Sequence, residues 1–207
     1  MSWSSALSKV PCIPADRVFF HFVVGGATPA ALGGDLLTSV LDPIAYAWAS
    51  SPFATRLEQV ALGWLLELFR LPPSMGGIIT TGATMANFVF LAAARQWWGE
   101  RHDLDVAEHG LARGPEVPVL TSGYVHASDV KALSMLGMGR SSIRRFERDD
   151  RGRIDISALE SALRALGGAP PILIGNAGEV NTGDFDPIEP LADLARRYDA
   201  WLHVGVA

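Results

Sequence analysis

A threonine near the start of a predicted helix has a hydroxyl group that is well placed to bind an anion. The stretch TTGATMAN turns through Gly82 into a helical pattern and puts Thr84 in the first turn. Backbone N–H groups at a helix start have no partner inside the helix, and with a hydroxyl they can hold a phosphate dianion. The alternative is that Thr84 serves only as a helix cap. The fingerprints GxGxxG and GxxxxGK[ST] are missing, which disfavours dinucleotide and nucleoside-triphosphate sites.

Two further polar stretches follow predicted strands. SGYVHAS places His126 at a helix start, where the imidazole is either a ligand-binding group or a structural residue. The stretch NAGEVNTGDFDP is a long loop with Asn176, Glu179, Asn181 and Thr182 between glycines. Long polar loops at this edge of a sheet tend to have functional roles. Both stretches are therefore candidates for the same site as Thr84.

Alternating strands and helices must position these residues. Strands are predicted at GGIITTG, VPVLTSG, SSIRRFERD, PPILIGNAG and AWLHV, and helices at ATMANFVFLAAARQWW, ASDVKALSMLG, DISALESALRALGG and DPIEPLADLARRY. The last helix is predicted to begin with Asp186 as its N-cap, followed by Pro187 and, near the capping-box position, Glu189. This order indicates a parallel sheet with helices on its faces, and such sheets bind ligands beyond the carboxyl ends of their strands.

The region before this alternating pattern is predicted to be helical. Apolar residues recur at helical spacing from Leu57 to Phe69, and LPPSMGG then ends the helix. An earlier helix is predicted to break near Asp42 and Pro43. We therefore divide the chain into an N-terminal arm, residues 1–52, and a partial large domain, residues 53–207.

Composition narrows the possible partners. The 207 residues have a formal charge of −5 without a basic stripe, which disfavours nucleic acid. The N-terminus lacks a targeting pattern and no apolar stretch is long enough to span a membrane, so we expect a cytoplasmic protein. The single cysteine, Cys12, cannot form an internal disulfide or a thiolate cluster, and we expect no metal site.

Six stretches, in this order, resemble the pyridoxal-phosphate-dependent amino-acid decarboxylases of group II, which include the aromatic-amino-acid and glutamate decarboxylases. The stretches are FFHFVVGGATPAALGGDLL, AWASSPFATRLEQVALGWLLELFRLP, TTGATMANFVFLAAAR, GYVHAS, NAGEVNTGDFDP and WLHV. The resemblance implies the aspartate-aminotransferase fold, fold type I, with a three-layer α/β/α large domain and an N-terminal helical arm. It also implies pyridoxal 5'-phosphate as cofactor, decarboxylation of an L-amino acid, and a homodimer with the active site at its interface.

The resemblance assigns roles to particular residues. It implies that Ala83 and Thr84 bind the cofactor phosphate and that His126 stacks on the cofactor ring. The loop with Asn181 and Thr182 should pass near the ring substituents. This chain departs from the family in that loop, because it has Glu179 and a valine where many relatives have threonines.

Two larger departures concern the chemistry itself. In the family the last strand has an aspartate that pairs with the pyridine nitrogen, whereas this chain has Gly205, and Asp199 lies too far before it to replace that carboxylate. The glycine is a substitution, a deletion of the aspartate or a frame error, and we favour an effect of truncation. The family's Schiff-base lysine lies further downstream, and neither Lys9 nor Lys131 matches it. We therefore expect an incomplete, inactive N-terminal fragment.

Two classes of function stay open on the sequence alone. The first is an enzyme, a carboxy-lyase or another fold-type-I activity such as an aminotransferase or an aldehyde-lyase. The second is a non-catalytic or degenerate cofactor-binding paralogue. The substrate amino acid is not fixed by these residues.

Overall fold

The structure is a computed structural model that describes residues 28–44, 47–112, 114–147 and 152–206. Lys9, Cys12 and most of the stretch FFHFVVGGATP lie outside these ranges. The chain separates into two compact units, with the division between Ile78 and Ile79. The division between arm and large domain after residue 52 stays a prediction.

The first unit contains two helices with capped starts. Helix α1 spans Pro29–Leu41, and its N-cap Thr28 accepts a hydrogen bond from the Ala31 N–H. It ends where Asp42 takes a left-handed conformation, with φ of 41°, just before a proline, so the predicted helix break is confirmed. Helix α2 spans Pro52–Leu68 and begins earlier than its apolar pattern indicates, because Ser51 and Pro52 together form a helix start.

The second unit alternates helices and strands. Its elements are α3 (Ala83–Glu100), α4 (Val106–His109), β1 (Val119–Thr121), α5 (Ala127–Met135), β2 (Ile143–Arg145), α6 (Ile156–Ala165), β3 (Ile172–Ala177), α7 (Ile188–Arg197) and β4 (Trp201–Val206). The strands form one parallel sheet in the order β2-β1-β3-β4. The predicted parallel α/β fold is confirmed.

Each face of this sheet has its own apolar core. Val119, Ile172 and Ile174 pack on one face with buried residues of α3 and α5, among them Leu91 and Leu133. Residues of opposite parity along the strands pack on the other face against α6 and α7; these are Leu120 and Leu173, which contact the cluster of Leu159, Leu163, Leu191 and Leu194. Because side chains alternate along a strand, continuous apolar strands fill both cores and produce three layers.

Two predictions about local structure were wrong. The stretch GGIITTG forms no strand, and Ile78 and Ile79 are 52% and 55% exposed. A β-rich run becomes a strand only where a neighbour completes its hydrogen bonds, and none of the four strands among the described residues pairs with it. Asp186 is also not a helix cap. The residue before α7 is Pro187, and the Asp186 carboxylate is buried and bonded elsewhere.

None of the helices in the described ranges combines the length and the apolar character that crossing a membrane requires.

Candidate functional site

The start of α3 is open to solvent and lacks a side-chain cap. Gly82 is the N-cap residue, with φ of 157° and ψ of 172°, a conformation that is essentially restricted to glycine. Since the cap is Gly82, Thr84 is not one, and the capping alternative for Thr84 was wrong. The Met85 and Ala86 N–H groups bond to the Gly82 carbonyl, each at 3.0 Å. The N–H groups before them in the first turn point out of the helix start.

A pocket of about 470 Å³ opens at this helix start. Thr84 lines it together with the rest of the segment from Thr81 to Met85, and α5 contributes Lys131 and Met135. Lys131 is exposed, as expected for a solvated helix residue, but its place beside Thr84 was missed in the sequence. The two residues are 47 positions apart, and only the packing of α3 on α5 brings them together.

His126 lies at the start of α5 and is tied to α3 by a short hydrogen-bond chain. Its Nδ1 accepts from the Ser128 N–H at 3.2 Å and lies 2.6 Å from the Ser128 hydroxyl. That hydroxyl accepts from the Asn87 side chain at 2.9 Å. The His126 ring therefore caps α5 through Nδ1, while the residue stays exposed and does not line the pocket at Thr84.

Glu179 organises the loop that follows β3. Its carboxylate accepts four hydrogen bonds, from the backbone N–H groups and the side chains of Asn181 and Thr182, at 2.6 to 3.1 Å. Partial burial raises the pKa of Glu179, but these hydrogen bonds outweigh it and hold the pKa below its ordinary value. The donor groups of Asn181 and Thr182 are thus directed at Glu179.

The end of this loop contacts the loop that contains His126. The Tyr124 hydroxyl donates to the Asp184 carboxylate at 3.0 Å. Burial, and after it the bond to Asp184, raises the pKa of Tyr124. The loops after β1 and β3 are therefore in direct contact at the carboxyl edge of the sheet.

Asp186 fixes the carboxyl ends of β1 and β3. Its Oδ2 accepts from the Ser122 hydroxyl at 2.8 Å, and from the backbone N–H and side-chain amide of Asn176 at 2.9 and 3.1 Å. Asp186 is 3% exposed, and its Oδ1 has no hydrogen-bond partner. The sequence predicted Asp186 as a helix N-cap, and its long-range bond to Ser122 has no local signal.

Gly205 lies beside Asn176 in the sheet register of β3 and β4. A Cβ at Gly205 would approach only the Asn176 Oδ1, at 3.9 Å, so there is room for a side chain. Asp199 precedes β4 and pairs with Arg101 through two bonds of 2.9 and 3.1 Å. This pairing lowers the pKa of Asp199 and holds its carboxylate at the opposite end of the strand from Gly205.

Among the residues that the structure describes, no cluster of histidine, cysteine, aspartate and glutamate has the makeup of a metal site.

Comparisons with known proteins agree on one family. Residues 14–207 match the model of the pyridoxal-dependent decarboxylase conserved domain. The L-2,4-diaminobutyrate decarboxylase of Rhizobium meliloti (strain 1021) is 32% identical over 197 residues, covering 94% of this chain and 37% of that protein.

Two solved structures are similar at the level of the fold. Mouse CSAD in its apo form superposes with a TM-score of 0.76 at 30% identity, over 87% of this chain and 38% of that one. Oryza sativa TDC with PLP and tryptamine superposes with a TM-score of 0.74 at 30% identity, over 86% and 38%. The chain therefore spans less than two fifths of the length of these relatives.

Proposed function

Because the chain belongs to the pyridoxal-dependent decarboxylase family, we propose that it forms part of the cofactor-binding domain of a carboxy-lyase acting on an L-amino acid. When bound, pyridoxal phosphate supplies the electron sink that such a reaction requires. The observation that supports this proposal best is the uncapped start of α3, where Thr84 lines a pocket of about 470 Å³.

The residues at this helix start suit a phosphate group. Gly82 has no side chain to cover the first-turn N–H groups, so those of Ala83 and Thr84 are available to an anion together with the Thr84 hydroxyl. Lys131 adds a positive charge on the α5 side of the same pocket. We propose that Ala83 and Thr84 bind the phosphate and that Lys131 acts as its counter-charge.

His126 suits a role as a flat surface beside the cofactor ring. Its Nδ1 accepts a hydrogen bond from Ser128, so the neutral imidazole has its proton on Nε2. Packing of this ring on the cofactor would orient the substrate carboxylate for departure. The assignment of Asn181 and Thr182 to the ring substituents stays a prediction, since their donors are bonded to Glu179.

This chain does not supply two groups that the family resemblance implies, namely a carboxylate for the pyridine nitrogen and a Schiff-base lysine. Gly205 has no carboxylate for the pyridine nitrogen, and Lys9 and Lys131 do not match the family lysine. The relatives are more than twice as long as the matched region. We propose that turnover requires a segment equivalent to their additional chain, and that residues 1–207 alone are inactive.

A second copy of the chain is the partner that we propose. Helices α1 and α2 bury no residue, and large apolar side chains such as Val40 and Leu68 are 81% and 72% exposed. A surface of this kind is typical of one that another protein covers. Homodimer formation and the cytoplasmic location expected from the sequence are both predictions.

A titration of the cofactor tests the phosphate site. In the full-length protein, Thr84→Ala should raise the apparent dissociation constant for pyridoxal phosphate about 5- to 30-fold, equivalent to about 1 to 2 kcal/mol for one charge-assisted hydrogen bond. Thr38→Ala is the matched control, because the Thr38 hydroxyl bonds within its own helix. An unchanged titration for Thr84→Ala would remove this residue from the site.

A non-catalytic cofactor-binding protein is the second candidate function. The observation that favours it is Gly205, which has no carboxylate to offer the cofactor ring, while the uncapped start of α3 suits a phosphate. If the full-length protein binds the cofactor tightly but releases carbon dioxide from none of the amino acids supplied as substrates, this candidate is supported. Formation of an oxo acid or an aldehyde instead would indicate an aminotransferase or an aldehyde-lyase.

A further inference from the structure

The loop after β3 is folded around one carboxylate. Glu179 Oε2 accepts from the backbone N–H groups of Asn181 and Thr182, both at 2.9 Å, and from the Thr182 hydroxyl at 3.1 Å. Glu179 Oε1 accepts from the Asn181 side-chain amide at 2.6 Å. A carboxylate has enough acceptor sites for all four donors, whereas a threonine hydroxyl at this position has only two lone pairs.

The Thr182 hydroxyl extends this arrangement along the loop. Its proton is directed at Glu179, and its oxygen accepts from the Asp184 backbone N–H at 3.2 Å. The hydroxyl therefore donates its one proton to Glu179 and uses one lone pair to accept from Asp184, which is compatible with its hydrogen-bonding capacity. Thr182 connects the carboxylate of Glu179 to the backbone of Asp184.

Asp184 then makes the contact with the neighbouring loop. Its carboxylate accepts from the Tyr124 hydroxyl at 3.0 Å, and Tyr124 is buried. The charged groups that act on Tyr124 are Asp184 from the β3–α7 loop and Arg153 from the segment before α6. Tyr124 lies two residues before His126 on the β1–α5 loop.

We infer that Glu179 is a positioning residue: it folds the β3–α7 loop and, through Thr182 and Asp184, fastens that loop to Tyr124 on the loop that contains His126. The fastening of the two loops follows from these contacts alone. Its effect on cofactor binding rests on the proposed function. The order of the loop therefore depends on an ionisable group.

Glutamine should replace Glu179 poorly in this role, because it lacks the negative charge that strengthens all four hydrogen bonds. If the glutamine oxygen takes the place of Oε2, its NH₂ group faces the Asn181 side-chain amide, which must rotate to present its oxygen. If the oxygen takes the place of Oε1, the NH₂ group faces three donors. Protonation of Glu179 also removes an acceptor and the negative charge. The pKa of Glu179 in the folded loop lies below its ordinary value. The loop should therefore be fully ordered above about pH 4.5, and it should lose this order as the pH falls through the folded pKa.

Amide hydrogen exchange tests the folding of the loop. In the full-length protein without cofactor, Glu179→Gln should lower the protection factors of the Asn181 and Thr182 amides by about tenfold or more. The amides of β3 serve as the folding control. Glu189→Gln is the charge-matched control, because this exposed glutamate lies just beyond the loop in the first turn of α7. In the wild type these two protection factors should also fall with acid, and Glu179→Gln should not show that pH dependence.

Tyr124→Phe tests the fastening of one loop to the other. This variant keeps the ring and removes the hydroxyl, so it should lower protection of the Asp184 amide severalfold while Asn181 and Thr182 stay protected. Unchanged protection of Asn181 and Thr182 in Glu179→Gln, or an equal loss in Glu189→Gln, would overturn the role of Glu179. Unchanged Asp184 protection in Tyr124→Phe would overturn the fastening. Because no cofactor is present, these outcomes do not depend on whether the protein binds pyridoxal phosphate.

Discussion

At the residue scale, His126 combines two roles that use different parts of one side chain. Nδ1 caps α5 by accepting from Ser128, and the exposed ring is the part that we propose to contact the cofactor. A structural role and a functional role are therefore not alternatives at this position. The two can be separated by substitutions that keep only one of them.

Substitutions at His126 should separate these two effects. His126→Asn keeps a good N-cap and removes the ring, so the free energy of unfolding should change little while turnover of the full-length protein falls strongly. His126→Ala removes both and should also cost about 1 kcal/mol of stability. Thermal unfolding, cofactor titration and turnover measure the three quantities. If His126→Asn weakens cofactor affinity more than turnover, the residue instead belongs to the phosphate site.

At the element scale, a buried imidazole and a buried carboxyl group lie close together between α5 and β4. His203 Nε2 lies 3.5 Å from Asp129 Oδ1, and the two residues are 5% and 0% exposed. Both carboxylate oxygens of Asp129 lack a hydrogen-bond partner, and so does the Nε2 of His203. The two residues thus bring the helix that His126 caps next to the strand that contains Gly205, and each is the nearby polar group of the other.

Removal of one member of this pair should be costly. His203→Ala should destabilise the protein by about 2 to 5 kcal/mol, because it removes a buried ring and takes away the polar neighbour of the buried Asp129 carboxyl group. Replacing both residues together with apolar side chains should recover much of that loss. Asp193→Ala is the control, since the exposed pair of Asp193 with Arg196 should contribute less than about 1 kcal/mol. Denaturant unfolding measures each difference, and equal effects for His203→Ala and Asp193→Ala would contradict the prediction.

The elements themselves were largely predictable, because periodicity and caps are local signals. Strands β1, β3 and β4 are largely apolar runs between turns, and α1 ends at the Asp42-Pro43 signal. The failures were long-range: GGIITTG has the composition of a strand but no neighbour, and Asp186 has the spacing of a cap but bonds to Ser122, 64 residues away. In the candidate site, the sequence predicted Thr84 and His126 from their places at helix starts, and their roles stay predictions, whereas the place of Lys131 beside Thr84 depends on helix packing.

At the scale of the whole molecule, the positions of charged groups around the pocket and the sheet edge determine which parts of a bound cofactor can be neutralised. Lys131 lies at the end of the pocket where we place the phosphate, and Gly205 lies beside Asn176 at the end of β4. Under the proposed function, Lys131 neutralises part of the phosphate charge, and we expect it not to form the Schiff base with the cofactor. Position 205 is a glycine and supplies no carboxylate to a bound cofactor.

These positions predict how residues 1–207 behave with the cofactor. After incubation with pyridoxal phosphate, borohydride treatment and dialysis, mass spectrometry of peptides should find no cofactor fixed to Lys131, and a mixture of amino acids should release no carbon dioxide. Lys131→Met should weaken reversible cofactor binding, since it removes a counter-charge of the phosphate, whereas Lys9→Met is the control at the chain's other lysine. Gly205→Asp by itself should restore no turnover, because a carboxylate cannot replace a lysine. A unique adduct at Lys131 accompanied by carbon dioxide release would contradict this prediction and would make Lys131 the catalytic lysine of a different site.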